Sequence, residues 1–158
     1  MKMLFKQKMF SWFDSYNIFD ENNETIYSIK GQFGIGHRFK VLNKHGEEVG
    51  YVKEKLLTWL PKFNIFVNGE QIGCIKKDFA LFKNKFSIDY KGWQVEGDFF
   101  GWDYRVLDKY GNKVATVSKK FFKLTDTYEI DVVDEGNALH VLLLVLAIDA
   151  EECSRNNN

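Results

Sequence analysis

Cysteine is scarce: the chain has two, Cys74 and Cys153. Two thiols cannot build a disulfide framework, so a reducing compartment is expected. Proline is scarcer still, with Pro61 alone in a bend, and no Pro- or Gly-rich linker divides the chain. Histidine appears three times, at 37, 45 and 140, with no His-x-His or His-Glu-x-x-His spacing. Excess charge is missing altogether, since 22 Lys+Arg balance 22 Asp+Glu. That balance excludes a general polyanion binder working by bulk attraction, and no sequence-specific nucleic-acid recognition is expected. Long apolar runs are absent as well. The longest, Ala138 to Ile148, is broken only by His140, far short of the roughly 18 residues that a membrane-spanning helix requires. Met1 to Phe13 intersperses Lys2, Lys6 and Lys8 among apolar residues and has no signal-peptide core. A soluble, cytoplasmic chain is the expectation.

What is present is aromatic and regular. Fifteen Phe, seven Tyr and four Trp occur in 158 residues, and 45% of the chain is apolar, enough for one domain with a real core. An aromatic–polar–aliphatic triplet recurs: Tyr16-Asn17-Ile18, Phe39-Lys40-Val41, Phe63-Asn64-Ile65, Phe86-Ser87-Ile88, Trp93-Gln94-Val95, Tyr104-Arg105-Val106 and Tyr128-Glu129-Ile130. In a strand, residues i and i+2 share a face, so each triplet turns two apolar groups inward and a polar one outward. Half-buried antiparallel strands follow.

Turn chemistry separates these strands. Asn68-Gly69 is a two-residue hairpin signal, and Asn43–Gly46 and Asp108–Gly111 read as type I turns closed by a glycine. After the turns come aliphatic pairs spaced by three: Val49/Val52, Ile72/Ile75 and Val114/Val117. That spacing breaks alternation, and either a bulge or burial on both faces accounts for it. A longer unit contains the pairs. Val52 to Ile65, Ile75 to Ile88 and Val117 to Ile130 each span 13 positions and enclose a basic pair, an apolar pair and a polar bend. Reiterated hairpins in one compact domain, not a solenoid, explain so few units.

The end of the chain changes character. Asn137 is placed to cap a helix from Ala138 to about Ala150 that is apolar all round, and residues 151–158 read as a flexible polar tail. A helix without a polar stripe needs cover on every side, which a sheet curled around it supplies.

These features resemble the LURP-one-related family, which has the Tubby C-terminal-like fold. The residues carrying the resemblance are Gly97-Asp98-Phe99, Tyr104 to Asp108, Gly111 to Lys120, Thr125 to Val132 and Leu144 to Ala150, and the opening Lys6 to Ser11 is similar to bacterial members. The likeness spans about residues 4 to 150. It implies a mainly β (α+β) domain over 1–150: a closed antiparallel barrel of about twelve strands around a buried C-terminal helix. Tubby and the phospholipid scramblases share that architecture. Tubby's domain binds phosphoinositides and scramblases are associated with membrane lipids, yet no stretch here matches Tubby's lipid-contacting basic residues one by one.

Catalytic constellations are not found in the sequence. No Gly-x-Ser-x-Gly elbow occurs, Cys74 and Cys153 lack a Cys-x-x-Cys partner, and Asp131, Asp134 and Glu135 do not fit a calcium loop. Gly34-Ile35-Gly36 leads to Phe39 where a nucleotide fingerprint needs glycine. His45 reads as a turn residue, and His140 as a satisfied helix-end histidine. Glu129 and Asp131 read as outward strand carboxylates, and Asp149 as a structural partner near the barrel rim. No enzyme, no metal and no cofactor are therefore expected.

Charge is nevertheless patchy. Residues 53–91 hold eight lysines against four acids, while 96–135 hold six basic residues against nine acids. The basic pairs Lys53/Lys55, Lys76/Lys77 and Lys119/Lys120 occupy equivalent places in the repeat, and side-by-side hairpins would gather them into one rim. Lysines also protect sheet edges, which would place them there without any ligand. The expectation is a non-catalytic intracellular binding or scaffold module whose partner is anionic lipid headgroups, peripheral to the membrane, or another protein. The alternative is a lipocalin-like carrier of a small apolar ligand, and the two part on whether the apolar helix fills the lumen.

Overall fold

A computed structural model describes residues 1–5, 15–32, 34–60, 62–80, 83–89, 91–98, 101–121 and 126–156, with side chains left undescribed at 77–80, 83–88, 121, 126 and 152–156. The fold is mainly β with one C-terminal helix. Among the described residues twelve strands follow one another: β1 (Lys2–Phe5), β2 (Ser15–Phe19), β3 (Thr25–Gly31), β4 (Arg38–Asn43), β5 (Glu48–Glu54), β6 (Lys62–Val67), β7 (Glu70–Ala80), β8 (Lys83–Ile88), β9 (Gln94–Asp98), β10 (Asp103–Leu107), β11 (Lys113–Phe121) and β12 (Asp126–Val132). A single 3-10 turn (Glu135–Asn137) then leads into α1 (Ala138–Asn156). Every strand from β2 to β12 pairs antiparallel with its neighbours in sequence, and β1 returns to pair with β12.

The 13-residue spacing in the sequence is the register of three hairpins. Val52 faces Ile65, Ile75 faces Ile88 and Val117 faces Ile130 as cross-strand partners. The triplets alternate as expected where their side chains are described: Phe63 and Ile65, Tyr104 and Val106, and Trp93 and Val95 are all buried, while Arg105 and Gln94 are exposed.

The aliphatic pairs spaced by three resolve into bulges. Val41 pairs with Gly50 and Leu42 with Glu48, which leaves Val49 as the extra residue. Ile72 and Val114 are skipped in the same way on β7 and β11, and Ile26 is skipped on β3. Each extra residue follows a tight turn. At Asn43–Gly46 and Asp108–Gly111 the glycine sits at φ +80° and +84° and donates its N–H back to Asn43 and Asp108 at 3.0 Å. The bulge absorbs the twist such turns introduce.

The helix interior matches its composition. From Val141 to Glu151 every residue is buried, on all faces of α1. The sheet approaches it closely at Gly50, where an added Cβ would lie 3.0 Å from Leu143 Cδ2 and 3.2 Å from Leu139 Cδ1.

Two expectations need correction. The helix does not stop near Ala150 before a loose tail: α1 continues to Asn156, and Glu151 is only 3% exposed. Asn137 is not the cap. Asp134 fills that role for the 3-10 turn, accepting the Gly136 N–H at 3.0 Å, and Asn137 instead takes the Lys91 ammonium at 2.7 Å. Among the described residues, β1 shares four register pairs with β12 and one, Leu4–Phe19, with β2.

Candidate functional site

Strand order decides which of the repeated lysines meet. Lys53 on β5 faces Arg38 on β4 and Asn64 on β6, and Asn64 in turn faces Cys74 on β7. One step along, Lys62 faces Lys76, and the Lys55 N–H bonds the Lys62 carbonyl at 2.8 Å. Arg38, Lys53, Lys62 and Lys76 thus occupy two adjacent cross-strand rows on four neighbouring strands, with Lys55 just past the end of β5. Among the described residues, no carboxylate lies within ion-pair distance of any of these five. Their closeness also registers in the Cys74 thiol. Burial and the Asp89 carboxylate push its pKa up, against the opposing pull of Lys76, Lys62 and Lys55.

The other repeated lysines go elsewhere. Lys119 and Lys120 lie on β11, with β8, β9 and β10 between them and β7. Lys120 pairs with Glu129 at 3.6 Å, and the Lys119 ammonium sits 5.9 Å from the centre of the Tyr128 ring. The Lys77 side chain lies outside the described residues. One rim of six lysines is therefore corrected to one face of Lys53, Lys55 and Lys76, extended by Arg38 and Lys62. The sequence reading missed Lys62 and Arg38 because neither belongs to a repeated pair. The 13-residue hairpin register would have found Lys62.

Beside this face, Glu54 holds the β3–β4 connection. Its Oε2 accepts the His37 N–H at 2.9 Å and lies 2.6 Å from the imidazole Nδ1. Hydrogen bonding from His37 draws the Glu54 pKa below its ordinary 4.5, outweighing a partial burial that raises it. A lowered carboxylate pKa contributes stability that is complete above about pH 4.5 and is lost as pH falls through the folded value. Glu54→Gln is accordingly expected to lower the melting temperature near neutrality and to flatten the acid limb of its pH profile, read by circular dichroism, with the two proteins converging at low pH.

The remaining candidates are dispersed over the fold. His45 is exposed in its turn. Burial, aided by Lys91, pushes the half-buried His140 imidazole below its usual pKa. Glu129 spans Lys120 and Lys2 at 3.6 and 3.9 Å. Asp149 is buried two turns before the helix end, not in its last turn. Cys74 is buried, while the Cys153 side chain lies outside the described residues. An open groove of about 430 Å³ runs over β9–β11 past Glu96, Asp103 and Arg105, with Arg105 paired to Glu96 at 3.4 Å. Among the described residues no cluster of His, Cys, Asp and Glu could hold a metal ion. No described helix is long and apolar enough to cross a membrane.

Comparison with known proteins agrees with the architecture. The LURP-one-related family model matches residues 1–149, and the chain belongs to that family. It is 25% identical over 151 residues to the uncharacterized protein YxjI of Bacillus subtilis (strain 168), covering 94% of this chain and 92% of that one. A crystal structure of a protein from Arabidopsis thaliana superposes with a TM-score of 0.63 at 15% identity, over 94% of this chain and 90% of the other. At that identity the likeness concerns the fold alone.

Proposed function

We propose that this member of the LURP-one-related family is a non-catalytic, cytoplasmic binding module, a β barrel wrapped on its own helix, that meets anionic phospholipid headgroups. The observation carrying the reading is the face of Arg38, Lys53, Lys55, Lys62 and Lys76, five cations on neighbouring strands with no described carboxylate in ion-pair reach. A chain of zero net charge has no general attraction for anions. A local row of lysines on a rigid sheet has one, and it acts within a Debye length of the surface. The barrel form is supported by the Leu4–Phe19 pair and by burial of α1 on every face. A carrier needs an empty lumen, and the complete burial of Leu142, Leu143 and Leu144 favours the binding-module reading over that one.

Co-sedimentation with phosphatidylglycerol-containing and pure phosphatidylcholine vesicles tests the reading. The protein should pellet with the first and not the second, and added salt should release it. Each lysine near an anionic surface contributes about 1 kcal/mol. Reversing Lys53 and Lys55 together to Glu should therefore lower vesicle affinity at least about twentyfold. Equal, negligible pelleting with both vesicles removes the reading.

A further inference from the structure

The two ends of the sheet differ in kind. At one end the connections are polar turns: Asp20–Glu24, Asn43–Glu47, Asn68–Gly69 and Asp108–Asn112. Tyr110 is exposed there, but the Lys109 ammonium lies over its ring at 4.9 Å. At the other end, where β3 passes to β4 and β5 to β6, the described connections present Ile35, Leu56, Leu57 and Trp59 to solvent. Trp59 is 99% exposed and Leu57 fully so, which no packing requirement of the domain explains.

This crest is held in place. The Lys55 N–H to Lys62 carbonyl bond closes the base of its loop, and the Thr58 hydroxyl lies 2.6 Å from the Leu60 carbonyl and 3.1 Å from that of Lys55. Leu56 also reaches the neighbouring connection, since a Cβ on Gly36 would fall 2.8 Å from its Cδ2. Leu57 adopts φ +57°, a conformation that glycine or asparagine takes far more readily. An exposed leucine in a strained position has no stabilising role for the fold.

We propose that this crest inserts into an anionic bilayer, with Leu57 and Trp59 below the headgroups and Ile35 at their level. The inference rests on the headgroup reading and extends it from surface contact to insertion. Charge complementarity selects the occupant. Lys53, Lys55 and Lys62 flank the crest, so the ammonium groups meet lipid phosphates at the depth where the apolar tips enter. Tryptophan suits that boundary, having an apolar body and a polar N–H. A protein groove would match the apolar tips alone and leave the surrounding cations without partners. The domain accordingly sits end-on, its polar turns and the start of α1 facing away from the membrane.

The test uses the full chain with vesicles of phosphatidylglycerol and phosphatidylcholine brominated on the acyl chains, which quench only an inserted indole. Tryptophan emission should fall on binding, and Trp59→Phe should abolish most of that fall. Leu57→Asn should weaken vesicle affinity about tenfold or more, because one large apolar side chain stays in water. Its melting temperature should hold or rise, which separates the loss from misfolding. Wild-type pelleting without quenching, with Leu57→Asn binding equally well, overturns insertion and leaves headgroup contact standing. Absence of pelleting by the wild type overturns both. Concentration-dependent self-association that Leu57→Asn abolishes, without vesicle binding, would assign the crest to a second copy of the chain and also overturn the proposal.

Discussion

Leu143→Ala should destabilise the domain by about 2–5 kcal/mol, read as a lower urea midpoint at unchanged m. Leu143 is fully buried on α1, so the variant loses the transfer energy of the deleted atoms and gains a cavity. The site cannot collapse easily, because β5 is fixed on both sides by ladders to β4 and β6. Against a typical total of about 5–15 kcal/mol, this is a substantial fraction of the stability. Gly50 makes the argument sharper. Its missing Cβ would stand 3.0 Å from Leu143 Cδ2, tighter than an ordinary contact, so Gly50→Ala in the wild type presses on the leucine. In the Leu143→Ala background the same methyl enters vacated space. The double variant should recover roughly 0.5–2 kcal/mol relative to the sum of the singles. Additive losses would mean that Gly50 and Leu143 do not share a packing site.

How much of this architecture the sequence discloses depends on the range of the interaction. Hairpin register is local: two residues 13 apart that face each other across a turn must both be inward, so Val117 and Ile130 declare their pairing. Bulges are local too, but they appear only as a broken alternation at Val49, Ile72 and Val114, which burial on two faces would mimic. Enclosure of α1 is legible because Leu142 to Ile148 leave no polar stripe. Its extension is not. Composition separates polar from apolar residues, and it cannot reveal that Glu151 lies inside. Contacts between distant segments have no local signature at all. Lys62 meeting Lys76, and β1 returning to β12 across the whole chain, follow from topology alone. The pair Leu56-Leu57 illustrates the opposite hazard. An apolar pair within a repeat suggests a core element, but here Leu57 is bare to solvent.

The seam beside β1 gives the second large effect. Phe5 is 1% exposed, stacks on Tyr128 at 5.1 Å with ring planes 10° apart, and meets the edge of Trp102 at 5.6 Å. Trp102 in turn lies 4.7 Å from Tyr128, so three rings share one buried cluster. Among the described residues β1 spans four positions, with four register pairs to β12 and one to β2. The Phe5 ring anchors this strand in the core together with Met3, which is also fully buried. Phe5→Ala should therefore cost about 3–5 kcal/mol, whereas Phe5→Leu, which keeps most of the apolar area and loses the ring contacts, should cost nearer 1 kcal/mol. The two losses also differ in where they appear. Trp102 holds φ +55°, a conformation that its surroundings must enforce, and removing the Phe5 ring loosens one side of that clamp. Hydrogen exchange in Phe5→Ala should accelerate first at Met3 to Phe5 and at Tyr128 to Asp131, ahead of β5 and β6. Uniform acceleration over all strands would show that β1 opens only with the whole sheet.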